Sequence, residues 1–185
     1  MKAITIYQPY AALITVGAKR FETRSKLTHY RGPIAIHAGM KSWKHFHRNV
    51  DREIRLKVIE TLKPHVGHSH ISGYFPNLAY GAIVATAELV ECWKVSSKSL
   101  GDNDLTLISS GIVVPFEEKI VGNEINFGDY SKGRYAWELV NVKMLDKPIP
   151  ARGQQGLWNW DYNYCSDCKR VFPIELDCGC SRAGC

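Results

Sequence analysis

No stretch of this chain approaches the about 20 consecutive apolar residues that a membrane-spanning helix needs, and it contains neither an internal repeat nor a low-complexity tract. Solenoid, fibrous and membrane-spanning helical architectures are therefore poor readings. Met1-Lys2-Ala3 runs straight into Ile4-Thr5-Ile6, too short an apolar segment for a signal peptide, so no cleaved leader is expected here. The expected residence is cytoplasmic, or nuclear in a eukaryote, and not secreted. Acidic residues are in the minority, 18 against 24 Lys and Arg, for a formal charge of +6. A surplus of that sign favours polyanionic partners through counterion release and steering, without conferring sequence specificity. With 45% apolar and 23% charged residues over 185 positions, the composition fits one soluble domain with a proper core and room for a small appendage.

Cysteine is scarce until the end of the chain. Cys92 stands alone, whereas Cys165, Cys168, Cys178, Cys180 and Cys185 crowd the final stretch. Structural Zn²⁺ is held tetrahedrally by four thiolates, usually as two close pairs joined by a short hairpin. Cys165-Ser166-Asp167-Cys168 has the spacer of such a knuckle, Cys178-Gly179-Cys180 is one residue tighter, and Lys169–Leu176 can form the hairpin between them. Disulfides are the rival reading, disfavoured in a reducing compartment. The expected ligands are Cys165, Cys168, Cys178 and Cys180, with Cys185 as a substitute for one of the second pair.

Patterning supplies the rest of the organisation. Ala3–Ile6 reads as a strand and Tyr10–Val16 as a short helix, opened by Pro9 and stopped by Gly17. Phe21–Thr23 and Ile34–His37 read as strands, the second apolar and β-branched. Phe46, Val50, Ile54, Val58 and Leu62 recur every four residues, the stripe of one helix, which Pro64 is expected to end. His65–His70 then reads as a loop. Ala82–Val90 is the clearest buried strand, Ser96–Asn103 is polar and loop-like, and Ile112–Phe116 and Tyr135–Val140 read as further strands. Several short strands with two or three helices predict a small mixed β-barrel with helices packed outside, an α+β fold.

Lys19, Glu22 and Arg24 lie in a charged turn between the first helix and an apolar strand. Either they line a site or they form an ion-pair cluster that pins a solvated turn. Lys19 offers a compact point charge and Arg24 a planar fork, both suited to phosphate or base edges. Arg31 beside the open backbone of Gly32 is close in sequence, and Arg152 and Gln154 would close the other side. Gln8 both donates and accepts, as a base edge requires. Tyr10, Trp43 and Trp158 carry faces on which an unpaired base stacks, although a Trp in a small barrel is more often core. His37 follows an apolar strand and suits either a core hydrogen bond or a ligand contact. His65, His68 and His70, with His45 and His47, have metal-like spacing but no acidic partner, and a solvated polar loop is the better account.

The Gln8-Pro9-Tyr10 start, the Gly17-x-Lys19-x-x-Glu22-x-Arg24 turn and Tyr30-Arg31-Gly32-Pro33 resemble the ASCH domain family. Gly81–Cys92, Gly133–Leu139 and Pro148–Trp158 are similar to that family's central, late and closing segments, so the likeness runs from about Met1 to Trp160. It implies a PUA-like β-barrel over 1–160; the cysteine-rich tail, 161–185, lies outside the resemblance and is where the cysteine spacing places the expected zinc. It also implies a cleft beside the turn that takes RNA, another nucleic acid such as DNA, or a modified nucleotide, and the expected form of the RNA is single-stranded. Some small members are amidohydrolases that remove acyl groups from the exocyclic nitrogen of cytidine, pairing a lysine with a threonine nucleophile and a separate glutamate. Lys19 matches that lysine, but Glu22 stands at the nucleophile position and Thr23 is one place off, which on a strand is the opposite face. Glu88 and Glu138 lie on strands without matching the third carboxylate. The candidate catalytic set is therefore Lys19, Glu22 and Thr23, for amidohydrolysis or RNA cleavage. The contrasting class is a binding module, with the tail contacting nucleic acid through Lys169, Arg170 and Arg182 or docking a protein.

Overall fold

The computed structural model describes residues 1–66, 75, 77–98, 105–109, 117–120, 122–165 and 171–173. Strand β1 (Lys2–Ile6) lies parallel to β3 (Gly32–Ala38), with Lys2 opposite Ile34 and Ile6 opposite Ala38. A parallel pair needs a crossover, and here it consists of helix α1 (Tyr10–Thr15) and the short strand β2 (Phe21–Arg24). Two long strands then build the body: β4 (Ala82–Lys98) runs antiparallel to β3, and β7 (Tyr135–Pro150) antiparallel to β4. β2 pairs with β7, and β8 (Leu157–Asn159) with β1, giving the order β2-β7-β4-β3-β1-β8. The hairpin of β5 (Leu105–Ser109) and β6 (Glu117–Ile120) extends the sheet from the far end of β4.

Strands of 17 and 16 residues would run on as a long, evenly twisted ribbon were they regular. Their ladder instead shifts register between Ile83 and Ala85, Thr86 and Glu88, and Leu89 and Glu91. Each such irregularity bends the strand and sharpens its twist, so the sheet curls into a half-barrel. At the middle shift Asn141 takes φ 51°, a left-handed conformation that Asn tolerates, and its amide donates to Glu88 Oε2 at 3.0 Å. The expected barrel is thus an open one: among the described residues no ladder joins β2 to β8.

Inside the curl pack Ile4, Ile6, Ile34, Ile36, Ala85, Leu89 and Leu139, closed by Ile14 of α1. A second core lies outside, where Leu13 meets Trp43, Phe46, Val58, Leu62, Phe75 and Phe127. Two helices supply it, α2 (Trp43–Asn49) and α3 (Arg52–Val66). The four-residue stripe therefore spans a break, because Val50 is extended at φ −124°, ψ 141°. Pro64 does not end the helix. It removes one backbone donor in the last turn, and His65 and Val66 remain helical. Ser96 and Ser97, read as loop from their polarity, continue β4, where Ser97 finds a backbone partner in Thr106 of β5. The strand expected at Ile112–Phe116 lies outside the described residues.

Beyond β8, strands β9 (Tyr162–Tyr164) and β10 (Val171–Pro173) form a small separate hairpin. Trp160 stacks on Tyr162 with ring centroids 4.2 Å apart, and its N–H donates to the carbonyl of Met1 at 2.8 Å. No helix among the described residues is long and apolar enough to cross a membrane.

Candidate functional site

The half-barrel opens where its two end strands fail to meet. β8 covers only Lys2–Ile4 of β1, so the last residues of β1 look across an opening toward β2. There a cleft of about 1050 Å³ is lined by Thr5–Tyr7, Tyr10, Glu22–Lys26, His37, Gly39–Lys41, Arg134, Trp137 and residues 153–156. A side chain bridges the opening in place of a ladder: Arg24 Nη2 donates to the Thr5 carbonyl at 2.6 Å.

Local sequence sets up the charged wall. Gly17, at φ +76°, ends α1, and the N–H groups of Ala18 and Lys19 both fold back to the Leu13 carbonyl at 2.9 and 3.1 Å. The chain thus enters β2 with Lys19 turned inward. Lys19 is 1% exposed, donates to the Phe21 carbonyl, and lies 3.7 Å from Glu22 Oε2 and 5.8 Å from the Tyr10 ring centroid. Glu22 Oε1 stands 3.1 Å from Arg24 Nε. Burial pushes the Lys19 ammonium below its ordinary pKa, against the opposing pull of Glu22 and Glu124. Burial, with Glu22 in support, likewise pushes the Tyr10 phenol up.

Glu124 comes from the 3₁₀ helix Gly122–Phe127 and was invisible in the sequence as a partner of β2. Its Oε1 accepts the N–H groups of Arg20 at 2.5 Å and Phe21 at 2.7 Å. Burial raises its pKa even though those bonds and Lys19 oppose the shift. Glu22 and Glu124 are thus the two carboxylates that act on Lys19. Glu138 instead accepts from Trp93 Nε1 at 2.7 Å, and Glu88 is bound to Asn141.

At the floor, His37 is 1% exposed and its Nε2 lies 3.0 Å from the Ala151 carbonyl. A carbonyl only accepts, so Nε2 carries the proton in the neutral ring, and Nδ1 is left buried without a hydrogen-bond partner. Burial lowers the His37 pKa against the help of that bond. Gly153 lies so close that a Cβ there would stand 2.4 Å from His37 Cε1. Trp158 Nε1 donates to Thr5 Oγ1 at 3.2 Å, and its ring meets His37 edge-on.

Of the residues singled out from sequence, Tyr10, Glu22, Thr23, Arg24 and Gln154 line the cleft together. Lys19 lies beneath its wall. Thr23 points away from Glu22, as strand alternation requires, and its Oγ1 accepts the Asp129 N–H at 3.0 Å. Gln8 is 3% exposed, with its amide taken up by the Ala79 carbonyl at 2.9 Å and the Ala12 N–H at 3.1 Å. Trp43 belongs to the helical core and Trp158 is buried. Arg31 pairs with Glu91, and neither it nor the exposed Arg152 is among the cleft-lining residues. His45 and His47 are exposed on α2 and His65 on α3, while His68 and His70 lie outside the described residues. Cys165 is buried just after β9; Cys168, Cys178, Cys180 and Cys185 lie outside the described residues, as do Lys169, Arg170 and Arg182.

Sequence reasoning passed over Tyr7, Lys26, Lys41 and Arg134, all on the cleft wall. Arg134 is steadied by Asp129, Nε to Oδ2 3.2 Å, whereas Lys26 and Lys41 have no carboxylate partner among the described residues. Lys41 Nζ lies 4.5 Å above the Tyr7 ring instead. Arg134 lies within the resembling segment Gly133–Leu139 but carried no role there, and only the fold gathers the three cations. The model of the ASCH domain family matches residues 4–149. No curated protein matches the chain.

Proposed function

Because this chain belongs to the ASCH domain family, whose domains are generally RNA-binding or related, we propose that it binds RNA, or a modified nucleotide, in the cleft at the open side of the half-barrel. The observation that carries this reading is the convergence of Arg24, Lys26, Lys41 and Arg134 on one cleft that also presents Tyr7, Tyr10 and the amides of Gln154 and Gln155. Lys26 and Lys41 suit phosphates, being point charges without a carboxylate partner among the described residues. Arg24 is partly spent on Glu22 and the Thr5 carbonyl, so it acts more as part of a shaped wall. Glu22, the acidic group of that wall, accepts from an exocyclic amine rather than touching phosphate. Neutral His37 adds no charge near pH 7.

The test is a titration of labelled single-stranded RNA and duplex DNA at two salt concentrations. Saturable RNA binding that weakens with salt is expected, and the double variant Lys26→Ala/Lys41→Ala should lower the slope of log K against log salt by about 1 to 2. Failure to bind either polymer would leave a small modified nucleoside as the ligand to try.

A hydrolytic reading, as ribonuclease or N4-acylcytidine amidohydrolase, is favoured by one observation: a fully buried lysine whose pKa is lowered beside a cleft-lining carboxylate. Lys19, Glu22 and Thr23 would be its residues. It requires a product of altered mass after incubation with RNA or an acylated cytidine, lost in Lys19→Met. For the tail, 161–185, we propose a structural Zn²⁺ held by four of Cys165, Cys168, Cys178, Cys180 and Cys185, serving as a rigid extension or a protein-docking module.

A further inference from the structure

Tyr7 lines the cleft yet remains 46% exposed, and its surroundings fix it there. The backbone is held on both sides: the Gly39 N–H donates to the Ile6 carbonyl at 2.9 Å, and the Ala11 N–H donates to the Tyr7 carbonyl at 3.2 Å. The ring edge lies directly on Gly39, where a Cβ would come within 2.7 Å of Cδ1 and 2.9 Å of Cε1. Gly39 is needed for space, since any side chain would push the ring off its seat. Lys41 completes the arrangement by laying its ammonium over the ring, 4.5 Å from the centroid.

An exposed aromatic is ordinarily a mobile one. This ring is seated against Gly39 and under the Lys41 ammonium before any ligand arrives, and a side chain already so placed costs less to order on binding. We propose that Tyr7 is the stacking platform for one unpaired base of single-stranded RNA, and that Lys41 is its guard. The base displaces the ammonium from the ring, and Lys41 moves to a phosphate of the same strand. The exchange is favourable on magnitudes: an exposed cation–π contact is worth about a few-fold in affinity, whereas stacking one base on an aromatic is worth about five- to a hundredfold. The cation is not wasted, because it gains a phosphate as it leaves the ring. A base inside a duplex has no free face to offer, so the platform also predicts preference for single strands. This assignment rests on the RNA-binding reading above and specifies how that site holds its ligand.

Binding of the full chain to a labelled single-stranded RNA is compared with binding to a base-free sugar–phosphate chain of equal length. The wild type should prefer the RNA by about tenfold or more. Tyr7→Ala should bind both polymers alike, while Tyr7→Phe keeps the preference. Tyr7→Leu, which still packs on Gly39, should behave as Tyr7→Ala and covers the case in which truncation unsettles the fold. Lys41→Met should keep the preference for bases but lower the salt slope by about 1. Wild-type preference retained in both Tyr7→Ala and Tyr7→Leu would overturn the platform and leave the RNA-binding reading standing. Absence of RNA binding by the wild type would remove that reading, and the platform with it.

Discussion

His37 carries one bonded nitrogen and one bare one in a site with almost no solvent. Its pKa lies below the ordinary 6.5 because burial opposes the charged ring. Between those two values the unfolded chain binds more protons than the folded one, so stability rises with pH through that window and is lost as pH falls below about 6.5. Melting temperature should therefore drop on going from pH 7.5 to 5.5, and His37→Gln should flatten the drop. Glu124, raised above 4.5 by its burial, acts in the opposite sense near the lower limit, so the readout is the difference between variant and wild type. Lys19 makes a second residue-scale case. Replacing it by Met strips Glu22 of its buried partner and should cost about 3 kcal/mol in urea unfolding. Lys19→Met combined with Glu22→Gln should recover part of that loss. Sequence showed that these three charges cluster but not which of them meets solvent. Gln8 was misleading for a related reason: a free amide reads as a base reader, and its Ala79 partner lies 71 positions away.

Strands and α1 were legible because alternation, proline and glycine are local signals, and β1, β2, β3, β4 and β7 all begin within a few residues of where patterning puts them. Boundaries set by tertiary partners were not. β4 continues through serines because β5 supplies a ladder, and the helical stripe breaks at Val50 without any glycine or proline to announce it. The least legible link is the 3₁₀ helix, which sends Glu124 across to cap the entrance of β2. Glu124→Ala should remove the carboxylate oxygen that the N–H groups of Arg20 and Phe21 share and cost about 2 kcal/mol. Amide exchange should quicken at those two positions first, and unchanged protection there would mean that Glu124 does not hold the strand. Gly153→Ala probes the other wall: a methyl set against the His37 ring has no room, so a lowered melting temperature and a shifted segment 153–156 are expected.

For the whole molecule, motif order in the sequence was enough to indicate the family, whose match over residues 4–149 takes in most of the curled sheet. The cleft itself was half legible. Glu22, Arg24 and Tyr10 belong to one continuous segment, whereas Lys41 and Arg134 reach the same space from β3's exit and β7's entry. The tail makes its own prediction: if it binds Zn²⁺, a chelator should lower the melting temperature while leaving RNA affinity unchanged, and lost affinity with an intact fold would place the tail in the binding site. Finally, an unclosed sheet is a hazard as well as an opportunity. β2 has one ladder among the described residues, to β7, and the end of β1 outruns β8, so an edge lies at the rim that side chains must cover, as Glu124 does for the N–H groups of Arg20 and Phe21 and Lys19 for the Phe21 carbonyl. Glu22, Arg24 and Lys26 stand guard there as charges, and Arg24 occupies the Thr5 carbonyl. Substituting these charges by valine should therefore promote strand-to-strand self-association, and a nucleic acid seated in the cleft should suppress it, acting in effect as a chaperone for the edge.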